Sequence, residues 1–210
     1  MGDPHLPYTR MDLWKRLYEF NKTYKADLVL CPGDFFDFYA LSKYVKNPRG
    51  DTSYSEILKC IPQVKQIAKW FPEMEILPGN HDDRLKKRAG EAGISDVFLK
   101  DALDVVGAPK GWAWTAGDRV EHDGIIFTHG WFGEPRKHAE FFNQSCSHGH
   151  LHAKPGVQYI GRDGRVIFNA CLGFMADKNA LALQYGPIKY STGVEAFGTF
   201  TKGIPHVQAF

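Results

Sequence analysis

The chain has 210 residues, with 26 Lys plus Arg against 24 Asp plus Glu and a formal net charge of +2. That length fits one domain, residues 1–210, with one sizeable core, and the balanced charge lacks the basic excess of dedicated nucleic-acid or membrane-surface binders. With 43% hydrophobic and 24% charged residues, disorder is excluded. No apolar run reaches the roughly 18–20 residues of a membrane span, and Met1-Gly2-Asp3-Pro4-His5 has no signal-peptide core. A soluble, cytoplasmic protein without a membrane partner is expected.

Thr9 is placed to cap a helix carrying Leu13, Trp14, Leu17, Phe20 and Tyr24 at three- and four-residue steps. Residues 27–31 read as a short buried strand stopped by Pro32-Gly33, and residues 35–45 as a second helix. Strand followed by helix suggests a parallel α/β arrangement. Residues 47–51 form a surface loop. Ser53 starts a helix with Ile57, Leu58, Ile61, Val64, Ile67 and Ala68 inward, which Pro62 is expected to kink or split. Residues 74–77 are another strand, closed by Pro78-Gly79. Residues 82–106 read as helical, first a basic piece (Arg84, Lys86, Lys87, Arg88) and then an amphipathic one with Val97, Phe98, Leu99, Leu103 and Val106 inward. After Gly107 come short β-like runs at 112–115, 125–128, 158–160 and 166–168, the last two joined by a turn over 161–164. A short helix at 135–142 interrupts them, and the tail from Gly193 is strand-like. The four cysteines are far apart with no CxxC spacing, which predicts buried free thiols.

The nine histidines are the informative part of the composition. Metal-ligand residue types stand where strands end or are expected to end: Asp3-Pro4-His5, Gly33-Asp34-Phe35-Phe36-Asp37, Gly79-Asn80-His81-Asp82, Thr128-His129-Gly130 and Gly149-His150-Leu151-His152. In open α/β folds, sites form beyond the carboxyl ends of the strands. Glycine beside each ligand lets the backbone approach a crowded cluster.

This ordered set, DxH, GDxxD, GNH[DE], a lone His after a strand, and GHxH, resembles the calcineurin-like metallophosphoesterase superfamily over residues 3 to 152. The resemblance implies a four-layer α/β/β/α sandwich with two divalent ions at the strand ends. It implies that Asp3, His5, Asp34 and His152 hold one ion, that Asp34, Asn80, His129 and His150 hold the other, and that Asp34 bridges them. His81 matches the family's general acid, and Asp37 would accept a hydrogen bond from it. Oxygen and imidazole ligands without thiolate suit Mn²⁺ first, with Ni²⁺, Fe, Co²⁺ and Zn²⁺ as alternatives, and not Ca²⁺. Such a pair of ions clamps a phosphate and lowers the pKa of a bridging water to give the nucleophile. Only Met1 and Gly2 precede Asp3, so the family's usual first strand is expected to be missing and the N-terminus to fray. GDFFD continues into Phe38-Tyr39, unlike the Arg-Gly of the Ser/Thr protein phosphatases. GDFFDFYALS and GNHDDRL resemble the small phosphoesterases often carried by phages and prophages.

The expected function is hydrolysis of phosphomonoesters or phosphodiesters. A nuclease acting on DNA or RNA is the alternative, and a non-catalytic interaction module on the same fold is a reading from another class, against which all the ligand positions and His81 stand. A single-zinc hydrolase would leave GDFFD and GNHD unexplained. Arg84 either binds substrate phosphate bidentately or belongs to a solvated helix face. Trp112, Trp114 and Trp131-Phe132 either stack a base or sugar or simply pack. His148 is either a supporting or substrate contact or a neutral packed residue. His122, His138 and His206 fit no motif and are expected at the surface. Oligomeric state is not legible.

Overall fold

The computed structural model describes residues 1–184 and 193–210. Its first sheet is all parallel, with β1 (Leu30–Cys31), β2 (Met74–Ile76) and β3 (Trp112–Trp114) in that spatial order. The second has five strands: β4 (Arg119–His122), β5 (Ile125–Thr128), β6 (Cys146–His148), β7 (Gly156–Arg162) and β8 (Arg165–Cys171), in the order β4-β5-β6-β8-β7. β5, β6 and β8 run parallel, and the two edge strands are antiparallel to their neighbours. A hairpin of β9 (Ala196–Thr201) and β10 (Ile204–Ala209) ends the chain. The helices are α1 (Met11–Tyr24), α2 (Ser53–Trp70), α3 (Arg84–Glu91), α4 (Ala102–Val106) and α5 (Arg136–Phe142).

Strand side chains alternate between faces, and that alternation sorts the core into layers. Leu30, Leu77, Ile125, Phe127, Phe168 and Ala170 pack together between the sheets. Cys31 and Ile76 point the other way, into a core with Leu13, Trp14 and Leu17 of α1, Cys60, Val64 and Ile67 of α2, and Leu103 and Val106 of α4. On the far side Ile126, Cys146, Ile160 and Ile167 meet Ala139 of α5. The result is an α/β/β/α sandwich, as the resemblance implies. All four cysteines are buried and free.

Several local expectations are corrected. Residues 35–45 form no helix beyond a 3-10 turn at Tyr39–Leu41. Their amides are used elsewhere: Asp37 N donates to Leu6 O, Phe35 and Phe36 N donate to Asp82, and Phe38 is left-handed. α2 runs unbroken through Pro62, which lies on its exposed side. Leu58 and Ile61, expected inward, are exposed for the same reason. The stretch 82–106 breaks into α3, a turn at Asp96–Phe98 and α4. Gly93, at φ +72°, ends α3, with Ile94 N bonded back to Ala89 O, while Asp101 caps α4 by accepting from Leu103 N. Val97 and Phe98 are therefore exposed, whereas Leu103 and Val106 are buried. Thr9 is not the helix cap: its hydroxyl accepts from Trp14 Nε1 at 2.9 Å and donates to Met175 O. The β7–β8 hairpin turns within the expected stretch, one residue later than a turn over 161–164, with Asp163 and Gly164 at its centre, both at positive φ, the requirement of a type I′ turn.

The N-terminal segment does not fray. No regular strand precedes β1, but residues 1–6 are stitched in as an extended strap. Met1 N donates to Leu30 O, His5 N to Asp34 O and Leu6 N to Phe35 O, while Met175 N donates to Asp3 O. Asp3 also bridges to Phe174 and Leu6 to Phe36, and Asp3, His5 and Leu6 are all fully buried. The strap thus joins the loop after β1 to the segment after β8.

Candidate metal centre

The ligand-type residues sit where parallel strands of both sheets end. Asp34 follows β1, Asn80 and His81 follow β2, His129 follows β5, and His150 and His152 follow β6, while the strap brings in Asp3 and His5. His5, Asp34 and His150 all have left-handed backbones, at φ 52°, 48° and 63°. Asp and His tolerate that region better than most residues, but it still stores roughly 1–3 kcal/mol each. Such strain persists only where the surroundings over-determine it. Here glycines let the backbones close in. A Cβ on Gly149 would collide with Asp3 Oδ1, and one on Gly79 with Asp34 N and Oδ1.

Three groups of ligand-type atoms converge, Asp3, His5, Asp34 and His152 in the first, Asp34, His129 and His150 in the second, and His5, Asp37 and His81 in a third, with the atoms of each group within 4.8 Å of one another. Asp34 belongs to the first two. Its Oδ1 accepts from His81 N at 2.8 Å, leaving Oδ2 to face His129 Nε2 at 3.3 Å and His5 Nε2 at 3.9 Å. Asn80 Oδ1 lies 3.1 Å from the same His129 Nε2.

Neighbouring groups fix which imidazole nitrogen faces inward. His5 Nδ1 donates to Asp37 Oδ2 at 3.0 Å, so Nε2 is turned to the centre as an acceptor, 3.2 Å from His152 Nε2. His129 Nδ1 donates to Pro32 O at 3.1 Å, which likewise leaves Nε2 inward. Carboxylate or carbonyl partners on the outer nitrogen are the usual way of orienting metal-bound histidines. His152 Nε2 is 3.0 Å from Asp3 Oδ2, which also accepts from His150 N at 2.6 Å.

The donor set fits a pair of divalent cations. Two buried carboxylates and inward imidazole nitrogens crowd one centre, and Asp3 Oδ1 is buried without a hydrogen-bond partner. The electrostatics agree. Burial pushes the Asp34 carboxyl up, but His129 and His81 beside it outweigh this and hold it well below the usual carboxylate range. Burial lowers His129, yet Asp34 and Asp3 pull it up to about 9. His150 is pushed down to about 4, by burial first and then by His129. Asp34 thus keeps its negative charge at the centre, balanced by His129 and His81, and a divalent cation would take over that role from their protons.

Around this centre lies a second tier. Asp37, fully buried, takes His5 Nδ1, lies 3.3 Å from His81 Nδ1 without an aligned bond, and receives Arg84 Nη1 on Oδ1 and on its carbonyl. The expected Asp37–His81 pair is therefore a shared arrangement, with His5 the aligned partner. Arg84 Nη2 is 3.0 Å from His81 Nε2 and its side chain is only 11% exposed, which ends the solvated-face reading. His138, expected at the surface, is fully buried, and its ring lies on that of His148 with centroids 4.0 Å apart. Burial holds His148 down at about 3, so it is a neutral packed imidazole. His122 pairs with Glu75 at 2.8 Å, and only His206 of the three is simply exposed. Trp112 is buried with Nε1 bonded to Phe71 O, and Trp114 Nε1 bonds to Asp101, so both are packing residues. Trp131, two residues after His129 in sequence, stays 44% exposed, its ring against Phe132, His138, Phe141 and Phe142.

Two supports were not singled out in the sequence. Glu56 accepts from Tyr39 N, Ala40 N and the Tyr8 hydroxyl, fixing the turn after Asp37, and burial pushes its carboxyl up to about 7. Asp82, the last residue of the GNHD motif, accepts from Phe36 N at 2.8 Å on Oδ1 and from Gly79 N at 2.8 Å and Phe35 N at 3.2 Å on Oδ2. It ties the Asp34 loop to the Asn80 loop. Stranding backbone amides costs roughly 1–3 kcal/mol each, so Asp82→Ala is expected to lower the stability of the metal-free protein by about 3 kcal/mol or more in urea unfolding. A change within about 0.5 kcal/mol would mean that water replaces the carboxylate.

A family model described as calcineurin-like phosphoesterase matches residues 1–169, which include every residue of the cluster. The chain belongs to the calcineurin-like phosphoesterases. No curated protein matches it. Members of the family hydrolyse phosphate esters with metal ions, and the His/Asp groups of this phosphoesterase are placed to bind them. Among the described residues no helix is long and apolar enough to cross a membrane.

Proposed function

We propose that this phosphoesterase is a dinuclear enzyme hydrolysing phosphomonoesters or phosphodiesters. One ion is held by Asp3, His5, Asp34 and His152, and the other by Asp34, Asn80, His129 and His150. The observation that carries the reading is Asp34 Oδ2, which faces inward nitrogens of both groups at once. Mn²⁺ is the first candidate, with Ni²⁺, Fe, Co²⁺ and Zn²⁺ behind it. When bound, two such ions supply Lewis-acid charge to the phosphoryl oxygens and acidify the attacking water.

The chain's own groups do the rest. His81 is the proton donor to the leaving oxygen: it is buried at the edge of the cluster, with Nε2 3.8 Å from Asp34 Oδ2. Burial lowers its pKa, but Asp34 and Asp37 together raise it, favouring the protonated ring a general acid needs. Arg84 donates toward His81 Nε2 only while that nitrogen is bare. Once His81 carries a proton there, two donors stand side by side and an incoming phosphate oxygen can accept from both. Asp37 holds His5, His81 and Arg84 in register.

The nucleic-acid alternative loses some support. Arg88 of the basic helix is committed to Leu41 O, Ser42 O and Glu91, Lys87 faces Asp83 at 3.9 Å, and Trp112 is in the core. Turnover of a small aryl phosphate monoester, its bis-aryl diester and single-stranded DNA or RNA in Mn²⁺ tests the reading. Metal-dependent release from either aryl ester is expected, preferential cleavage of the nucleic acid would favour the nuclease, and no turnover with Mn²⁺, Ni²⁺, Co²⁺ or Zn²⁺ would leave a non-catalytic module.

A further inference from the structure

His138 and His148 lie outside the proposed ligand set, yet between them they touch both loops that carry the later ligands. His138 Nε2 accepts from Trp131 N at 3.0 Å and Phe132 N at 3.2 Å, which places its proton on Nδ1, and Nδ1 donates to Pro135 O at 2.9 Å. His148 Nδ1 donates to Gly149 O at 2.7 Å, and its Nε2 accepts from Asn169 Nδ2 at 3.1 Å. The two rings are tilted by 30° with centroids 4.0 Å apart. Gly130 is wedged against both. At φ +98°, a Cβ there would lie 3.0 Å from His138 Nε2 and 3.2 Å from His148 Nδ1. One imidazole thus grips the backbone just after His129, the other grips the backbone just before His150, and they lean on each other. Across this clamp the His129 and His150 rings meet edge to face, with centroids 5.1 Å apart.

We infer that His138, acting through His148, is a positioning residue that sets the spacing of His129 and His150 and thereby the affinity of the ion they share. The inference rests on the proposed ligand roles of those two histidines. The other ion group is oriented differently, through Asp37 on His5 and Phe174 stacked on His152, so the two sites respond differently when the clamp is loosened.

Mn²⁺ titration calorimetry on the metal-free full chain tests this with three variants. His138→Phe keeps the ring against His148 but gives Trp131 N and Phe132 N no acceptor. It is expected to weaken one of the two sites by about 10–100-fold, the usual effect of losing an orienting partner, and to leave the other within a few-fold. His138→Gln, whose carbonyl can stand where Nε2 stood, should restore the weakened site. Gly130→Ala pushes on both rings from the other side and should weaken the same single site, so it carries the test if the Phe variant does not fold. Two unchanged affinities in the folded variants, with only the thermal midpoint lowered, would overturn the positioning role. Fewer than two ions on the unaltered protein would overturn the ligand assignment, and the clamp's proposed role with it.

Discussion

Asp34→Asn is expected to leave the chain folded, to drop metal uptake below two ions per chain and to cut turnover at least about a thousandfold, some 4 kcal/mol of barrier at 1.36 kcal/mol per tenfold. The substitution isolates charge from shape. Asn tolerates the left-handed backbone that Asp34 adopts at φ 48°, and an amide oxygen can still accept from His81 N as Oδ1 does at 2.8 Å. What disappears is the negative charge on the oxygen facing both ligand groups. Metal analysis and calorimetry report the stoichiometry, and circular dichroism reports the fold. Two ions bound as tightly as before would remove Asp34 from the bridging role.

His81→Ala should behave differently, retaining both ions while turnover falls by about 10²–10⁴, the usual worth of a positioned general acid. The backbone N of residue 81, which orients Asp34, survives the change. Loss of the side chain removes the only histidine of the cluster placed beside Arg84 and Asp37 without an assigned metal role. The deficit should be largest for esters whose leaving group is a poor alkoxide and should shrink for an activated aryl leaving group, which departs without help. A uniform loss across leaving groups, or full activity, would take the proton-donor role away from His81.

The centre was legible because its chemistry is local along the chain. Four of the five motifs pair a ligand type with glycine at a strand end, and Asp34, His129 and His150 can be read without knowing what they touch. His138 could not be read that way. It stands alone in the sequence, and what makes it structural, the amides of Trp131 and Phe132 and the ring of His148, comes from other segments. Residues 35–45 misled for a related reason. Phe35, Phe36, Tyr39 and Leu41 are apolar at helix-like spacing, but the amides that a helix would use internally are bonded to Leu6, Asp82 and Glu56. Val97 and Phe98 show the limit of periodicity, since Gly93 stops the helix that would have turned them inward. The strap was illegible because two residues before Asp3 cannot announce a strand, and its partners include Leu30, Phe174 and Met175.

That strap also bears on the order in which the molecule can assemble. Asp3 and His152, whose side chains meet at 3.0 Å, are 149 positions apart along the chain. Contacts of such long range close late, because the entropy of joining distant segments must be met before they contribute. No intermediate with only one sheet formed can hold the first ligand group intact, and capture of an ion there would time-stamp the arrival of the native topology.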